Sequence, residues 1–174
     1  AALLSIRFRL PEVDHRVELL DGSAADLASV RIEDPVGCPR YDASIVRGVK
    51  ISHSPLPLRH RLHVLGIRPI SNVVDVTNYV LFETGQPLHA FDFDRLSQNR
   101  IVVRTASKGE TFITLDQKER VLDDEMLMIC DGEKPVAIGG VMGGMNYEIE
   151  DDTTCVLLES AYFNSVSVRR TSKQ

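Results

Sequence analysis

The chain has 174 residues, enough for one domain or two small intertwined units, and its 43% hydrophobic content allows a real core. A formal net charge of −5 argues against a general nucleic-acid binder, because phosphate affinity comes from Lys and Arg. Any RNA partner must be held mostly elsewhere, or reach this domain through one end only.

Three cysteines, Cys38, Cys130 and Cys155, lie far apart with no C-x-x-C spacing. That pattern argues against a disulfide framework and points to a reducing compartment. No apolar run is long enough to span a membrane, and the opening AALLSIRFRLPE lacks a signal-peptide layout. The chain begins in mid-pattern and ends in what reads as an unfinished helix, so it is expected to be a stretch of a longer protein.

Residues 1–30 carry no motif and read as a strand and connector from a preceding region; the domain proper is taken as 31–174, truncated at its C-terminal end. ASVRIED, from Ala28 to Asp34, reads as a strand, and DPVGCPRY as a Pro/Gly turn cluster. DASIVRGVKI, from Asp42 to Ile51, alternates as a second strand. SPLPLRHRLHVLG is a helix, with Ser54 as N-cap, Pro55 at the first helical position, Gly66 at the C-terminal end, and Leu58, Leu62 and Leu65 on one face. SNVVDVTNYVLFETG is a second helix, capped by Asn72, with Val73, Val76 and Val80 sharing a face and Gly85 ending it. QPLHAFD then reads as a short connector. From Arg100 the pattern turns to short strands: RIVVRTA, ETFITL, ERVL, EMLMICD, PVAIGG and CVLLESA, before the helix start NSVSVRRTSK. Helices followed by a run of strands imply an α+β fold with a mixed or barrel-like sheet and flanking helices.

Several residue types invite a chemical reading. His60 and His63 are spaced to share a helix face, with His53 just upstream, but a third ligand of good type is missing, and a solvated face outweighs a metal site. None of the cysteines has a histidine near it in sequence, so each reads as a small buried hydrophobe. GGVMGG, Gly139 to Gly144, lacks the Lys of a P-loop and the spacing of a dinucleotide fingerprint. Its four glycines expose bare backbone, which serves a tight turn or a ligand-facing loop equally well. In VLLESA, Val156 and Leu158 take one face of a strand while Leu157 and Glu159 take the other. A carboxylate at that position is either an edge residue or a buried group with a polar partner. Thr77 and Asn78 sit in mid-helix, where both are weak formers. On local grounds alone His89, in the apolar run PLHAF, reads as a core histidine.

These signals occur in one order. CPRY, SPxxLRHRL, GIRPISNVVDVTNYVLFETGQPLHAFD, LDDEMLMICD, AIGGVMGG and VLLESAYF together resemble the B3/B4 region of the bacterial phenylalanyl-tRNA synthetase beta subunit, over roughly residues 31–174. The resemblance implies an α+β unit with a barrel-like sheet that houses an editing site, an esterase that removes tyrosine mistakenly attached to phenylalanine tRNA. It implies Thr77, Asn78 and His89 as catalytic-pocket residues. It implies Glu159 as the group facing the tyrosine hydroxyl, with Gly139, Gly140, Pro87 and Ala161 completing the substrate site. Partners implied are the aminoacylated 3′ end of tRNA and, through other parts of the parent ligase, its alpha subunit. No cofactor is expected in the domain; ATP and magnesium belong elsewhere in the parent, and the location is cytoplasmic. Pro57 and Gly139 depart from the family, which commonly has Trp and Ala there. The family also continues past Gln174 with a segment that helps complete the pocket. The competing reading is a non-catalytic platform of the synthetase that binds tRNA or an amino acid.

Overall fold

The computed structural model describes residues 21–145 and 147–173; residues 1–20, most of the expected N-terminal connector, lie outside it. Three open sheets and three helices make up the described chain, so the α+β expectation stands, and none of the sheets closes on itself.

The largest sheet has five strands. β1 (Ser29–Ile32) pairs in parallel with β4 (Arg100–Thr105), which leads antiparallel to β7 (Leu127–Cys130), β8 (Pro135–Ile138) and β9 (Met142–Gly143). The turn from β7 to β8 is organised by Asp131, whose Oδ1 accepts from the backbone of Glu133 at 2.7 Å and Lys134 at 2.8 Å. Its Oδ2 accepts from the Ser97 N–H and the Tyr147 hydroxyl. Backbone donors of this kind hold the carboxyl of Asp131 below its ordinary range although burial opposes them.

The second sheet has three antiparallel strands, with β10 (Cys155–Tyr162) between β2 (Arg40–Arg47) and β3 (Leu88–Asp92). A ribbon of β5 (Thr111–Ile113) and β6 (Glu119–Val121) forms the third. The inner faces of the two larger sheets meet in one core that joins Phe91 and Leu157 to Ile101, Val103, Leu127, Ile129 and Val136.

Helix α1 (Leu56–Val64) starts one residue later than expected. The Pro55 carbonyl accepts the first helical bonds, from Leu58 and Arg59, and no side chain caps the end. Ser54 is instead buried, and its hydroxyl has no partner among the described residues. Pro55 itself has non-helical backbone, at φ −54° and ψ 144°, so it stands as the N-cap and the helix starts after it. At the other end Gly66, at φ +82°, completes the expected stop: its N–H reaches the His63 carbonyl and that of Ile67 reaches Leu62. Of the three leucines expected on one face only Leu62 is fully buried, while Leu65 is exposed.

Helix α2 (Asn72–Thr84) is capped by Ser71, not Asn72. The Asn72 amide is occupied elsewhere, donating to the Lys50 carbonyl at 2.9 Å and accepting from Ser52. The buried residues of α2 are Asp75 and Thr77, whereas Val76 is exposed, so the expected valine face is not the packed one. Asp75 is drawn inward because its Oδ1 accepts the Ile70 N–H at 2.8 Å, closing the loop between the two helices. Gly85, at φ +78°, ends α2 as expected and turns the chain into β3. Helix α3 (Ser165–Thr171) follows β10, with Asn164 as its side-chain cap.

Candidate functional site

The stretch QPLHAFD, read from sequence as a connector, contains strand β3, and that changes the meaning of His89. In the ladder with β10, His89 lies directly opposite Glu159; on the other side of β10, Glu159 lies opposite Ala43. Directly opposed residues share a face, so Ala43, Glu159 and His89 form one row. The rows on either side are Tyr41–Ala161 and Ile45–Leu157–Phe91. The inner sheet face is therefore apolar except for the hydroxyl of Tyr41 and this one row. Facing it across the seam is the row Val103–Ile129–Ala137–Gly143 of the five-stranded sheet.

Where the seam opens there is a cleft of about 320 Å³. Pro87, His89, Glu159 and Ala161 line it from one side, Ile129, Ala137 and the hairpin from Gly140 to Gly143 from the other, with Leu115 and Phe163 at its margins. No Lys or Arg is among its lining residues.

Glu159 is 6% exposed. Its Oε2 accepts the Tyr41 hydroxyl at 2.7 Å. Its Oε1 has no donor among the described residues, yet is not sealed from the cleft. Burial pushes the carboxyl up to about 7, and the Tyr41 hydrogen bond pulls the other way. His89 stands edge-on to Phe91, with ring centroids 4.4 Å apart at 65°. Burial lowers its pKa to about 4, so the imidazole is neutral at physiological pH. The cleft thus pairs a carboxyl near its titration point with a neutral histidine, and no hydrogen bond links the two.

The glycine loop serves both readings left open by the sequence. It is the tight turn between β8 and β9, and part of it walls the cleft. A Cβ on Gly143 would sit 3.2 Å from His89 Cε1, so the missing side chain is what lets the imidazole lie against this strand. Gly140, at φ +69°, takes a backbone that L side chains rarely adopt. Gly139 lies just behind the lining, packed on Leu127, with its N–H given to the Leu127 carbonyl at 2.8 Å.

Of the eight residues expected at the site, Pro87, His89, Gly140, Glu159 and Ala161 come together in the cleft. Thr77 and Asn78 are not among its lining residues; the Thr77 hydroxyl is spent within its own helix, on the Val74 carbonyl at 2.8 Å. Tyr41 was missed. It stands in the CPRY motif, and its only local signal is that alternation along β2 puts it on the face of Ala43 and Ile45.

His53, His60 and His63 are exposed, and among the described residues no group of three or more His, Cys, Asp or Glu is placed to hold a metal. The three cysteines are free and buried. Burial pushes Cys38 and Cys130 up to about 11 and raises Cys155, so all three are protonated thiols, poor nucleophiles at neutral pH. Among the described residues no helix is long and apolar enough to cross a membrane.

The B3/4 domain family matches residues 37–174. The chain is 57% identical over 153 residues to a phenylalanine–tRNA ligase beta subunit of Halalkalibacterium halodurans, covering 88% of this chain and 19% of that one. It is 52% identical to the corresponding subunit of Syntrophus aciditrophicus, over 99% of this chain and 21% of the relative. With that of Carboxydothermus hydrogenoformans it shares 50% identity over its whole length and 21% of the relative. It therefore spans about a fifth of the length of the curated relatives it matches. Among solved structures, an N-terminal fragment of the phenylalanyl-tRNA synthetase beta subunit from Pyrococcus horikoshii shares the fold at a TM-score of 0.59. That likeness covers 95% of this chain and 49% of the other, at 15% identity. The chain belongs to the B3/4 domain family, in the form carried by phenylalanine–tRNA ligase beta subunits.

Proposed function

We propose that this domain is the editing site of a phenylalanine–tRNA ligase, hydrolysing the ester that joins tyrosine to phenylalanine tRNA. The observation that carries the reading is Glu159: a buried carboxylate with one oxygen held by Tyr41 and the other turned into a cleft without cations.

The physical case runs from specificity to hydrolysis. An apolar pocket built for phenylalanine rejects an analogue with one added hydroxyl only about 10²-fold. A second site must then select for the hydroxyl. The open oxygen of Glu159 accepts a hydrogen bond from a phenol, and a charge-assisted bond of this kind is strong. A phenylalanine ring in the same place leaves that oxygen desolvated and unpaired, a penalty of about 1–3 kcal/mol.

Ester hydrolysis needs a placed water and donors for the charge that grows on the carbonyl oxygen. His89 supplies the first. With a pKa near 4 it is a weak base, so its role is to orient the water through a neutral ring nitrogen. Backbone N–H groups of the hairpin around Gly140 are the donors proposed for the second. The Thr77–Asn78 segment enters only if the bound tRNA end reaches α2. ATP and aminoacylation belong to other parts of the ligase, and tRNA and the alpha subunit are the partners this reading requires.

The test is deacylation of tyrosyl- and phenylalanyl-tRNA by the assembled ligase carrying this domain. Glu159→Gln is expected to lose the preference for tyrosine, and His89→Ala to slow hydrolysis of both esters. Retained tyrosine preference in Glu159→Gln would refute the reader role and favour a non-catalytic platform.

A further inference from the structure

We infer that Tyr41 is a specificity-determining residue of this cleft: its hydroxyl holds one oxygen of Glu159 and leaves the other to select a substrate phenol. The inference rests on the editing reading for its substrate, but its geometric basis is separate.

Tyr41 stands opposite Ala161, one row from Glu159 on the adjacent strand. That diagonal is within reach of an aromatic side chain. The hydroxyl donates across it to Glu159 Oε2 at 2.7 Å, and both residues are buried. Tyr41 also belongs to the apolar core between the sheets. Its ring has a packing role that Phe would fill; its hydroxyl has one partner, Glu159.

The consequence lies in which form of the carboxyl faces the cleft. The titratable groups around Glu159 are Tyr41 on β2, His89 on β3 and the Cys38 thiol ahead of β2; the facing row of the five-stranded sheet contributes none. Burial favours the neutral acid, and the Tyr41 hydrogen bond opposes it. Burial and the Glu159 charge push the Tyr41 phenol well above 10, so it remains a donor throughout the physiological range.

With that donor in place Oε1 is an acceptor that needs a donor. A phenol satisfies it and a phenyl ring does not. Without the donor the balance shifts further toward the neutral acid. The neutral acid then tolerates an apolar neighbour at lower cost, and the distinction between tyrosine and phenylalanine shrinks. Tyr41 thus biases the reading carboxyl toward its charged form and fixes its direction. It is a positioning residue and touches no reacting atom.

The test uses the assembled ligase with Tyr41→Phe, and reads two quantities. The first is the ratio of tyrosyl- to phenylalanyl-tRNA deacylation rates, expected to fall about tenfold, the scale of one lost hydrogen bond to a charged group. The second is the infrared titration of the Glu159 carboxyl, identified by its absence in Glu159→Gln, whose midpoint is expected to move above about 7. Replacing Tyr41 by 4-aminophenylalanine, which keeps a donor, is expected to restore both. 4-Methylphenylalanine, which fills the space without donating, replaces Phe if that variant fails to fold.

An unchanged ratio in the donorless variants overturns the inference, whether or not the midpoint moves, provided Glu159→Gln does lower it. If Glu159→Gln leaves the ratio unchanged too, the editing reading itself fails, and the specificity role of Tyr41 with it.

Discussion

The two sheets that face each other across the cleft are built on opposite principles. The five-stranded sheet offers Val103, Ile129, Ala137 and Gly143, a wall of apolar and small residues whose contribution is shape. The three-stranded sheet offers the same kind of surface with one polar row set into it, where Glu159 and His89 stand side by side and Tyr41 reaches in from the next row. Mutations on the first sheet should act through packing and be indifferent to pH. Those on the second should act through protons and hydrogen bonds.

The largest effect is expected at Gly144, which follows β9 at the end of the five-stranded sheet. A Cβ at Gly144 would lie 2.5 Å from Phe112 Cζ and 2.7 Å from the Val136 carbonyl, and the backbone atom has little room to give. Gly144→Ala should cost about 3 kcal/mol or more in urea unfolding, equally at pH 5 and pH 7. A cost that varies with pH would blur the contrast between the sheets.

The polar row makes a prediction of similar size but different form. Burial raises Glu159 from 4.5 to about 7, so the folded state binds the extra proton and stability falls as pH rises through that window. Burial lowers His89 from 6.5 to about 4, so the unfolded state binds the extra proton and stability rises with pH between those values. In the intact chain the two slopes oppose each other. Removing one exposes the other. Relative to the wild type, Glu159→Gln should gain about 3 kcal/mol in unfolding free energy between pH 4.5 and 7. His89→Gln should lose about as much between pH 4 and 6.5. Urea unfolding across this range checks both, and parallel profiles for the two variants would show that the row is not the electrostatic element described.

Smaller effects sharpen the edge of the site. The Thr153 hydroxyl donates to the buried Asp92 Oδ2 at 2.7 Å, away from the cleft. Thr153→Val should cost about 1–3 kcal/mol of stability with no change in tyrosine preference. Smallest of all, Thr77→Val removes a hydroxyl bonded only within α2. It should shift stability by about 0.5 kcal/mol or less and leave the deacylation ratio unaltered. A fall in that ratio would place α2 closer to the bound substrate than the cleft lining does.

Much of this arrangement is legible in the sequence, and the gaps have physical causes. Alternation along VLLESA correctly separates Leu157 and Glu159 from Val156 and Leu158, because a strand's period of two is local. The stops at Gly66 and Gly85 are legible because left-handed backbone favours glycine. The start of α2 differs by one residue because Ser71 and Asn72 compete for the cap and Asn72 is recruited by Lys50 and Ser52, a contact between segments about twenty residues apart; α1 starts without any side-chain cap. β3 escaped notice because its residues are nearly all apolar or aromatic and do not alternate. Its strand character comes from pairing with β10, far along the chain. The same distance hides the partner of Glu159. Tyr41 and Glu159 are 118 residues apart, and nothing local in CPRY marks its tyrosine as the donor. The family resemblance implies the pocket residues; the sheet register gives the reason His89, Glu159 and Ala161 share one face of it.

The central claim is that Glu159 reads a phenol with one oxygen while Tyr41 holds the other. Its most direct test is a crystal structure of the domain within its ligase, soaked with L-tyrosine. The account predicts the tyrosine hydroxyl within hydrogen-bond distance of Glu159 Oε1, with Tyr41 still on Oε2 and no equivalent density after a phenylalanine soak. Tyrosine and phenylalanine bound alike, or a tyrosine that displaces Tyr41 from the carboxylate, would contradict it.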